Sequence, residues 1–263
     1  MVLDSLRCSA SCGLTCLNSI SRNQAIWHPL QCHPEKHDLT FQKVLTVRYQ
    51  CSMYSLLSGA WDYFWQVDEY CILLIGLDNA GKSTFLEQSN LLCTANYKLK
   101  RPLDKMPSTV GLNVSRIDVD GIRLLFWDLG GQTDLRELWP KYFSECHAVI
   151  YVIDCNDHNR LEESLNELVE ISLSSNLEHV PLFVCCNKQD LPKCLTPVDV
   201  KDALLKVSKS HKLSNQTNQK LCGDREFVIR GVSAYTGENV QDAIIWIAGA
   251  VKRNVYRLPR EKW

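Results

Sequence analysis

Tyr70-Cys71-Ile72-Leu73-Leu74-Ile75 is a short apolar run that passes directly into Gly76-Leu77-Asp78-Asn79-Ala80-Gly81-Lys82-Ser83. A run of this length ending in glycine reads as a strand of a parallel sheet, buried on both faces. The residues after it fit the pattern G-x-x-x-x-G-K-S, and Thr84 to Leu92 continue as a helix. Each part of that pattern has a physical reason. The glycines let the backbone curl until successive N–H groups point at phosphate oxygens, and the helix N-terminus adds a favourable dipole. Lys82 is placed to span a β- and a γ-phosphate, and Ser83 offers a hydroxyl to Mg²⁺. Gly76 through Thr84 are therefore candidate nucleotide-binding residues, specifying a nucleoside triphosphate but not its base.

Working outward, strands alternate with amphipathic helices. Val110–Asp120 and Ile122–Leu129 read as two strands joined by Asp120-Gly121, a strong hairpin signal. His147–Asp154, Val180–Cys186 and Arg225–Ser233 are further strand-like runs. Glu238–Tyr256 closes the pattern as a long helix with Val240, Ile244, Ile247 and Val251 on one face. The alternation predicts an α/β, three-layer P-loop fold: a mostly parallel six-stranded sheet with one antiparallel hairpin, covered by helices on both sides. Ligands of such sheets bind at the carboxyl ends of the strands. Residues 93–106 read as irregular, and residues 207–224, rich in Lys, Ser, Asn and Gln, as a surface insertion.

The loops after the strand ends carry the remaining chemistry. Asp128-Leu129-Gly130-Gly131-Gln132 ends the strand Ile122–Leu129. Asp128 can hold Mg²⁺ through water, Gly131 allows a backbone N–H to approach a γ-phosphate, and Gln132 is placed to orient an attacking water. Asn187-Lys188-Gln189-Asp190 follows Val180–Cys186. The Asp190 carboxylate can accept from the N1–H and exocyclic amine of guanine, a pair that adenine lacks. Lys188 can cover the base with its aliphatic stem, and Asn187 can tie this loop to the phosphate loop. Ser108-Thr109-Val110-Gly111 precedes the hairpin, and Thr109 is a candidate Mg²⁺ ligand and γ-phosphate sensor. Ser233-Ala234, after the last strand, is placed to direct backbone N–H groups at the guanine O6.

Length and composition bound the rest. The chain has 263 residues, 45% hydrophobic and 22% charged, with a net charge of -1. No basic run interleaved with aromatics appears, so nucleic acid is not an expected partner. Its 13 cysteines are an odd number and too dilute for a disulfide scaffold, which favours free thiols in a reducing cytosol. His28, Cys32, His33 and His37 match no standard zinc spacing. Residues 1–52 carry neither a signal-peptide order nor a membrane-spanning run, and read as a disordered or untranslated extension. Cys8, Cys12 and Cys16 share one helical face that would suit acylation.

Gly-Leu-Asp-Asn-Ala-Gly-Lys-Ser at 76–83, Thr-Val-Gly-Leu-Asn-Val at 109–114 and Phe-Trp-Asp-Leu-Gly-Gly-Gln at 126–132 resemble the Arf/Arl branch of Ras-like GTPases, from about Met53 to Arg260. Within it, Met53-Tyr54, Glu145-Cys146-His147, Arg253-Asn254-Val255 and Pro259-Arg260 are similar to the Arf-related members of the trans-Golgi. The resemblance implies a G domain over 68–258, an amphipathic helix over 53–67 and a short tail over 259–263. It implies GTP and GDP with Mg²⁺ as ligands, and Ser83, Thr109 and Asp128 around the metal. Gln132, Lys82 and Thr109 would be the catalytic residues. Partners would be an exchange factor, a GAP and effectors, with the protein cytoplasmic and peripherally bound to Golgi membrane. The hairpin would slide on GTP binding and expel the helix bearing Leu56, Leu57, Trp61, Phe64 and Trp65 onto the membrane.

The chain departs from the family in places. Val2 or Tyr54 stands where many members have a myristoylated glycine, so that modification is excluded; Met53 is the inferred initiator, with an acetylated terminus as in the related members. The family's aromatic effector triad corresponds to Leu112, Trp127 and Tyr142, with leucine for the usual phenylalanine. Met106 stands where heterotrimeric Gα subunits carry a catalytic arginine, which predicts slow unaided hydrolysis. The competing readings are an ATP-using P-loop enzyme and a nucleotide-locked scaffold with negligible hydrolysis.

Overall fold

The computed structural model describes residues 67–95, 97–99, 102–103, 106–210 and 224–259. The extension over 1–52, the helix expected over 53–67 save its last residue, the His28–His37 cluster, most of the insertion and most of the tail lie outside them.

Strand β1 (Glu69–Ile75) has every residue after Glu69 buried. Its side chains alternate between two cores, as the two-residue period of a strand requires. Leu73 and Ile75 pack with Leu125, Trp127, Tyr151 and Leu168 on one face. Ile72 and Leu74 pack with Phe85, Phe126, Ile150, Ile244 and Ile247 on the other. Around β1 the sheet adds β2 (Leu112–Val119), β3 (Ile122–Leu129), β4 (Ala148–Asp154), β5 (Leu182–Asn187) and β6 (Phe227–Gly231). Their order is β2-β3-β1-β4-β5-β6, parallel throughout except for the β2–β3 hairpin. Asp120 and Gly121 turn that hairpin with φ of 51° and 77°, the left-handed pair of a type I′ turn.

Helices α1 (Lys82–Cys93), α2 (Thr133–Arg136), α3 (Leu161–Ser172), α4 (Pro197–Ser210) and α5 (Val240–Arg253) complete the described structure. The expected face of α5 is the buried one: Val240, Ile244, Ile247 and Val251 are all fully enclosed. Several boundaries differ from the sequence reading. Helix α1 starts at Lys82 rather than Thr84, because Phe85 N–H already bonds Gly81 O at 2.8 Å. Strand β2 starts at Leu112 rather than Val110, because Gly111 takes a φ of 81°, outside the extended range of a strand. Strand β6 is shorter than expected, and α5 stops at Arg253, where Asn254 reaches His179 O through its side chain. Helix α4 runs four residues into the predicted insertion, through Ser210.

Two contacts tie the hairpin to the helices. Asn90 on α1 and Ser115 on β2 exchange side-chain hydrogen bonds at 2.9 and 3.1 Å. Lys252 on α5 bonds both the carbonyl and the carboxylate of Asp120 at the hairpin tip. At the same end of the sheet, Arg257 gathers the carbonyls of Phe143, Ser144, Cys146 and Asn176. His147 accepts from Cys71 N–H through Nδ1, which leaves its Nε2–H to donate to Leu258 O at 2.7 Å. Among the described residues the cysteines are free thiols, and no helix is long and apolar enough to cross a membrane.

Phe126 sits at the centre of the β3–α5 core with no exposed surface. Phe126→Ala should cost about 3–5 kcal/mol, read as a lower urea midpoint at unchanged slope. Val110→Ala, at a side chain 83% exposed, should cost under about 0.5 kcal/mol in the same assay.

Candidate functional site

Parallel pairing sets the carboxyl ends of the central strands level. Leu74 pairs with Asp128 across β1 and β3, and Asp154 with Asn187 across β4 and β5. Asp128, Asp154 and Asn187 thus form a row beside Gly76, where the phosphate loop leaves the sheet. The loop lies against Gly131: Asp78 N–H donates to Gly131 O at 3.1 Å. A Cβ on Gly131 would collide with Gly76 O and with the Leu77–Asp78 backbone, so no other residue fits there.

Inside the loop, Lys82 is buried, and its ammonium donates to Gly76 O at 2.9 Å and Leu77 O at 2.7 Å. Two of its three donors are therefore spent on the loop, leaving one for a phosphate. Burial pulls the ammonium down to about 8, against the opposing pull of Asp128 and Asp78.

Ser83, Thr109 and Asp128 come together as a closed triangle. Ser83 Oγ lies 2.6 Å from both Thr109 Oγ1 and Asp128 Oδ2, and Thr109 Oγ1 lies 3.2 Å from that same carboxylate oxygen. Asp128 is fully buried, and its Oδ1 has no hydrogen-bond partner. Burial pushes its carboxyl above the ordinary carboxylate range, opposed by the Ser83 hydroxyl and the Lys82 charge. A buried, partnerless carboxylate oxygen beside two hydroxyls is a hard-oxygen donor set of the kind Mg²⁺ takes. The residues fit the metal.

The cavity over the loop is lined by Asp78, Asn79, Gly81, Lys82, Ser83 and Thr84 on one side. Met106, Pro107, Ser108, Thr109, Gly131 and Gln132 line the other. Gln132 itself is exposed, and its carbonyl caps α2 by accepting from Leu135 and Arg136.

A second cavity of about 350 Å³ adjoins the first and shares Gly81 and Thr84 with it. Its walls are Leu103, Asn187, Lys188, Asp190, Leu191, Ala234 and Tyr235. Asn187 is its hub: its amide donates to Ala80 O at 2.8 Å, and its Oδ1 accepts from Ala234 N–H at 2.9 Å. Lys188 is pinned by Asp154 at 2.6 Å, which lays its stem along the wall. Asp190 accepts from the Ser233 hydroxyl at 2.6 Å. The expectation for Ser233 and Ala234 needs correction. Ser233 N–H bonds Glu238 O and Ala234 N–H bonds Asn187 Oδ1, so both N–H groups are directed at protein acceptors. Ser233 acts on the cavity through its hydroxyl on Asp190, and Ala234 as wall.

A model of the ADP-ribosylation factor family matches residues 57–251. The chain belongs to this family. It is 47% identical over 210 residues to ADP-ribosylation factor-related protein 1 of Homo sapiens, covering 80% of this chain and 98% of that protein. ADP-ribosylation factor-like protein 3 of Saccharomyces cerevisiae is 36% identical over 203 residues, 77% of this chain and 96% of its own. Among solved structures, the Arl6 BBS3 small GTPase of Trypanosoma brucei, determined with the nucleotide analogue GppNp, superposes with a TM-score of 0.58 at 25% identity, covering 71% of this chain and 99% of that one. The architecture is accordingly a Ras-like G domain of the Arf/Arl type.

In this ADP-ribosylation factor family member, sequence reading had passed over several residues around the site. Arg160, just before α3, bonds Asp78 Oδ1 at 2.7 Å and Asp157 at 2.7 Å, bracing the phosphate loop from the side. Arg136 bonds Gly131 O while pairing with Glu163 and Glu167 of α3. Asp154 was visible only as a strand end. None of these has a local motif; contacts spanning 82 residues, such as Arg160 to Asp78, become visible only in three dimensions.

The buried ammonium has a measurable consequence. Between about pH 8 and the ordinary lysine value of 10.5, the folded chain binds fewer protons at Lys82 than the unfolded chain. Stability contributed at this position therefore rises with pH across that window. In nucleotide-free protein, wild type should gain roughly 3 kcal/mol relative to Lys82→Met from pH 7.5 to 10.5 in paired urea titrations. A difference that stays flat with pH would show the ammonium to be solvated.

Proposed function

We propose that the chain is a guanine-nucleotide switch that binds GTP and GDP with Mg²⁺, hydrolyses GTP slowly, and presents the two nucleotide states to partners in trafficking at the Golgi. The observation that supports this best is the continuity of the two cavities. One is lined by Lys82 and by the hydroxyls of Ser83 and Thr109, and the other ends on a carboxylate held by Ser233.

In this reading the loop N–H groups of Asn79 and of Gly81 through Thr84 cradle the phosphates, and Lys82 gives its remaining donor to them. Ser83, Thr109 and Asp128 would hold Mg²⁺, which neutralises the charge developing on the phosphate oxygens when bound. Asp190 accepts from guanine, Lys188 covers the base, and Asn187 fixes the distance between base and phosphate loops. Gln132 orients a water toward the γ-phosphate; attack releases inorganic phosphate and leaves GDP. Thr109 and Gly131 report the γ-phosphate to the hairpin that joins them. Met106, on the cavity wall, brings no charge to the transition state. A GAP would supply it, and exchange factors and effectors would read the hairpin face formed by Leu112, Trp127 and Tyr142. Trp127 and Tyr142 meet edge to face at 5.6 Å, and Leu112, on the neighbouring strand β2, is 41% exposed. Peripheral attachment to the Golgi membrane is assigned to segment 53–67, all but its last residue outside the described residues.

Competition binding tests the base. GTP should outcompete ATP by on the order of 10⁴-fold, and Asp190→Ala should remove most of that preference. Equal retention of adenine and guanine nucleotides by the wild type would sink the reading. Single-turnover hydrolysis tests the timer: slow alone, faster by about 10³–10⁵-fold with a GAP, and lost in Gln132→Leu. Fast unaided turnover would contradict the missing cis arginine.

A further inference from the structure

Trp139 lies in the helical turn Trp139–Tyr142 after α2, and its ring is almost fully enclosed in the core that holds Leu73, Trp127 and Tyr151. Its indole N–H, a donor with no alternative role, bonds Gly130 O at 3.1 Å. Gly130 O belongs to the same peptide unit as Gly131 N–H, and no peptide bond in the described chain is cis. In a trans unit the C=O and N–H point in opposite directions. Drawing the carbonyl toward the core therefore aims the N–H away from it, to the side where Gly131 lines the phosphate cavity with Lys82, Ser83 and Thr109. The neighbouring units are held as well. Gly130 N–H bonds Gly111 O at 3.1 Å, and Gly131 O accepts from Asp78 N–H and from Arg136 Nε at 3.0 Å.

Two consecutive glycines would otherwise leave this plane free to rotate, since neither restricts φ and ψ. We propose that Trp139 is a positioning residue for the triphosphate: its indole N–H locks the Gly130–Gly131 peptide with the Gly131 N–H facing the γ-phosphate position. Without that bond the plane can flip, and the site loses its discrimination between triphosphate and diphosphate while keeping its grip on the diphosphate. The inference rests on the nucleotide reading above, and adds to it the residue that sets the sign of the sensing dipole.

The test uses the full chain. Trp139→Phe removes the donor but also shrinks the ring, so a second variant replaces Trp139 with benzothienylalanine, which keeps the bicyclic shape and puts sulfur where the N–H was. Affinities for GppNp and GDP are measured in Mg²⁺ for each, with thermal unfolding alongside. For the benzothienyl variant, GppNp affinity should fall about 2- to 10-fold, the worth of one hydrogen bond, while GDP affinity stays within about 2-fold. A role in packing alone would lower both together. A parallel loss of both nucleotides in that variant, or an unchanged preference for GppNp, overturns the proposal. Wild-type protein that binds neither nucleotide would instead overturn the nucleotide reading, and this proposal with it.

Discussion

The backbone of the phosphate loop lies directly on Gly131, joined by the hydrogen bond from Asp78 N–H to Gly131 O and too close for any side chain. This contact exists because β1 and β3 are adjacent, parallel and level at their carboxyl ends. It joins the Gly76–Ser83 loop to the loop that carries Gln132. Everything at the site is built out from it. The Ser83–Thr109–Asp128 triangle forms on one side, Lys82 threads beneath, and Trp139 and Arg136 fasten the far side to the core and to α3.

Such a site concentrates buried charge, which in isolation is expensive. Lys82 and Asp128 each sit out of water, and burial moves both toward their neutral forms. Neither is neutralised by a direct pair with the other. The ammonium leans on two carbonyls and the carboxylate on two hydroxyls, so both retain unspent capacity. A site poised in this way gains from a ligand that brings opposite charges, phosphate for the lysine and a divalent cation for the aspartate. Stability surrendered in the free protein is recovered on binding.

The second cavity is organised on a different principle. Asn187 is neutral, almost fully buried, and bonded at both ends of its amide to two other loops. Such a group acts as a spacer between the loop at Ala80 and the loop at Ala234.

Much of this was legible in the amino-acid sequence, and the reason is local physics. Gly76–Ser83 is legible from its glycines, lysine and serine at fixed short spacing, so the pattern is read without any tertiary information. The six strands, the Asp120-Gly121 turn and the buried stripe of α5 follow from periodicity and left-handed turn chemistry, which act over a few residues. The element ends were read less well, because a local left-handed turn at Gly111 and a bond from Asn254 to a distant loop decide where a strand or helix stops. The directions of the Ser233 and Ala234 N–H groups were misjudged for the same cause: their acceptors are Glu238 and Asn187, and only the folded chain brings Asn187 there. Arg136, Trp139 and Arg160 carry no motif at all. The sequence by itself determined the family and the strand–loop–helix frame, since residue type, periodicity and short spacing encode them. The tertiary structure alone decided which carbonyl, carboxylate or hydroxyl each group meets, because those partners come from strands and helices that parallel pairing sets side by side.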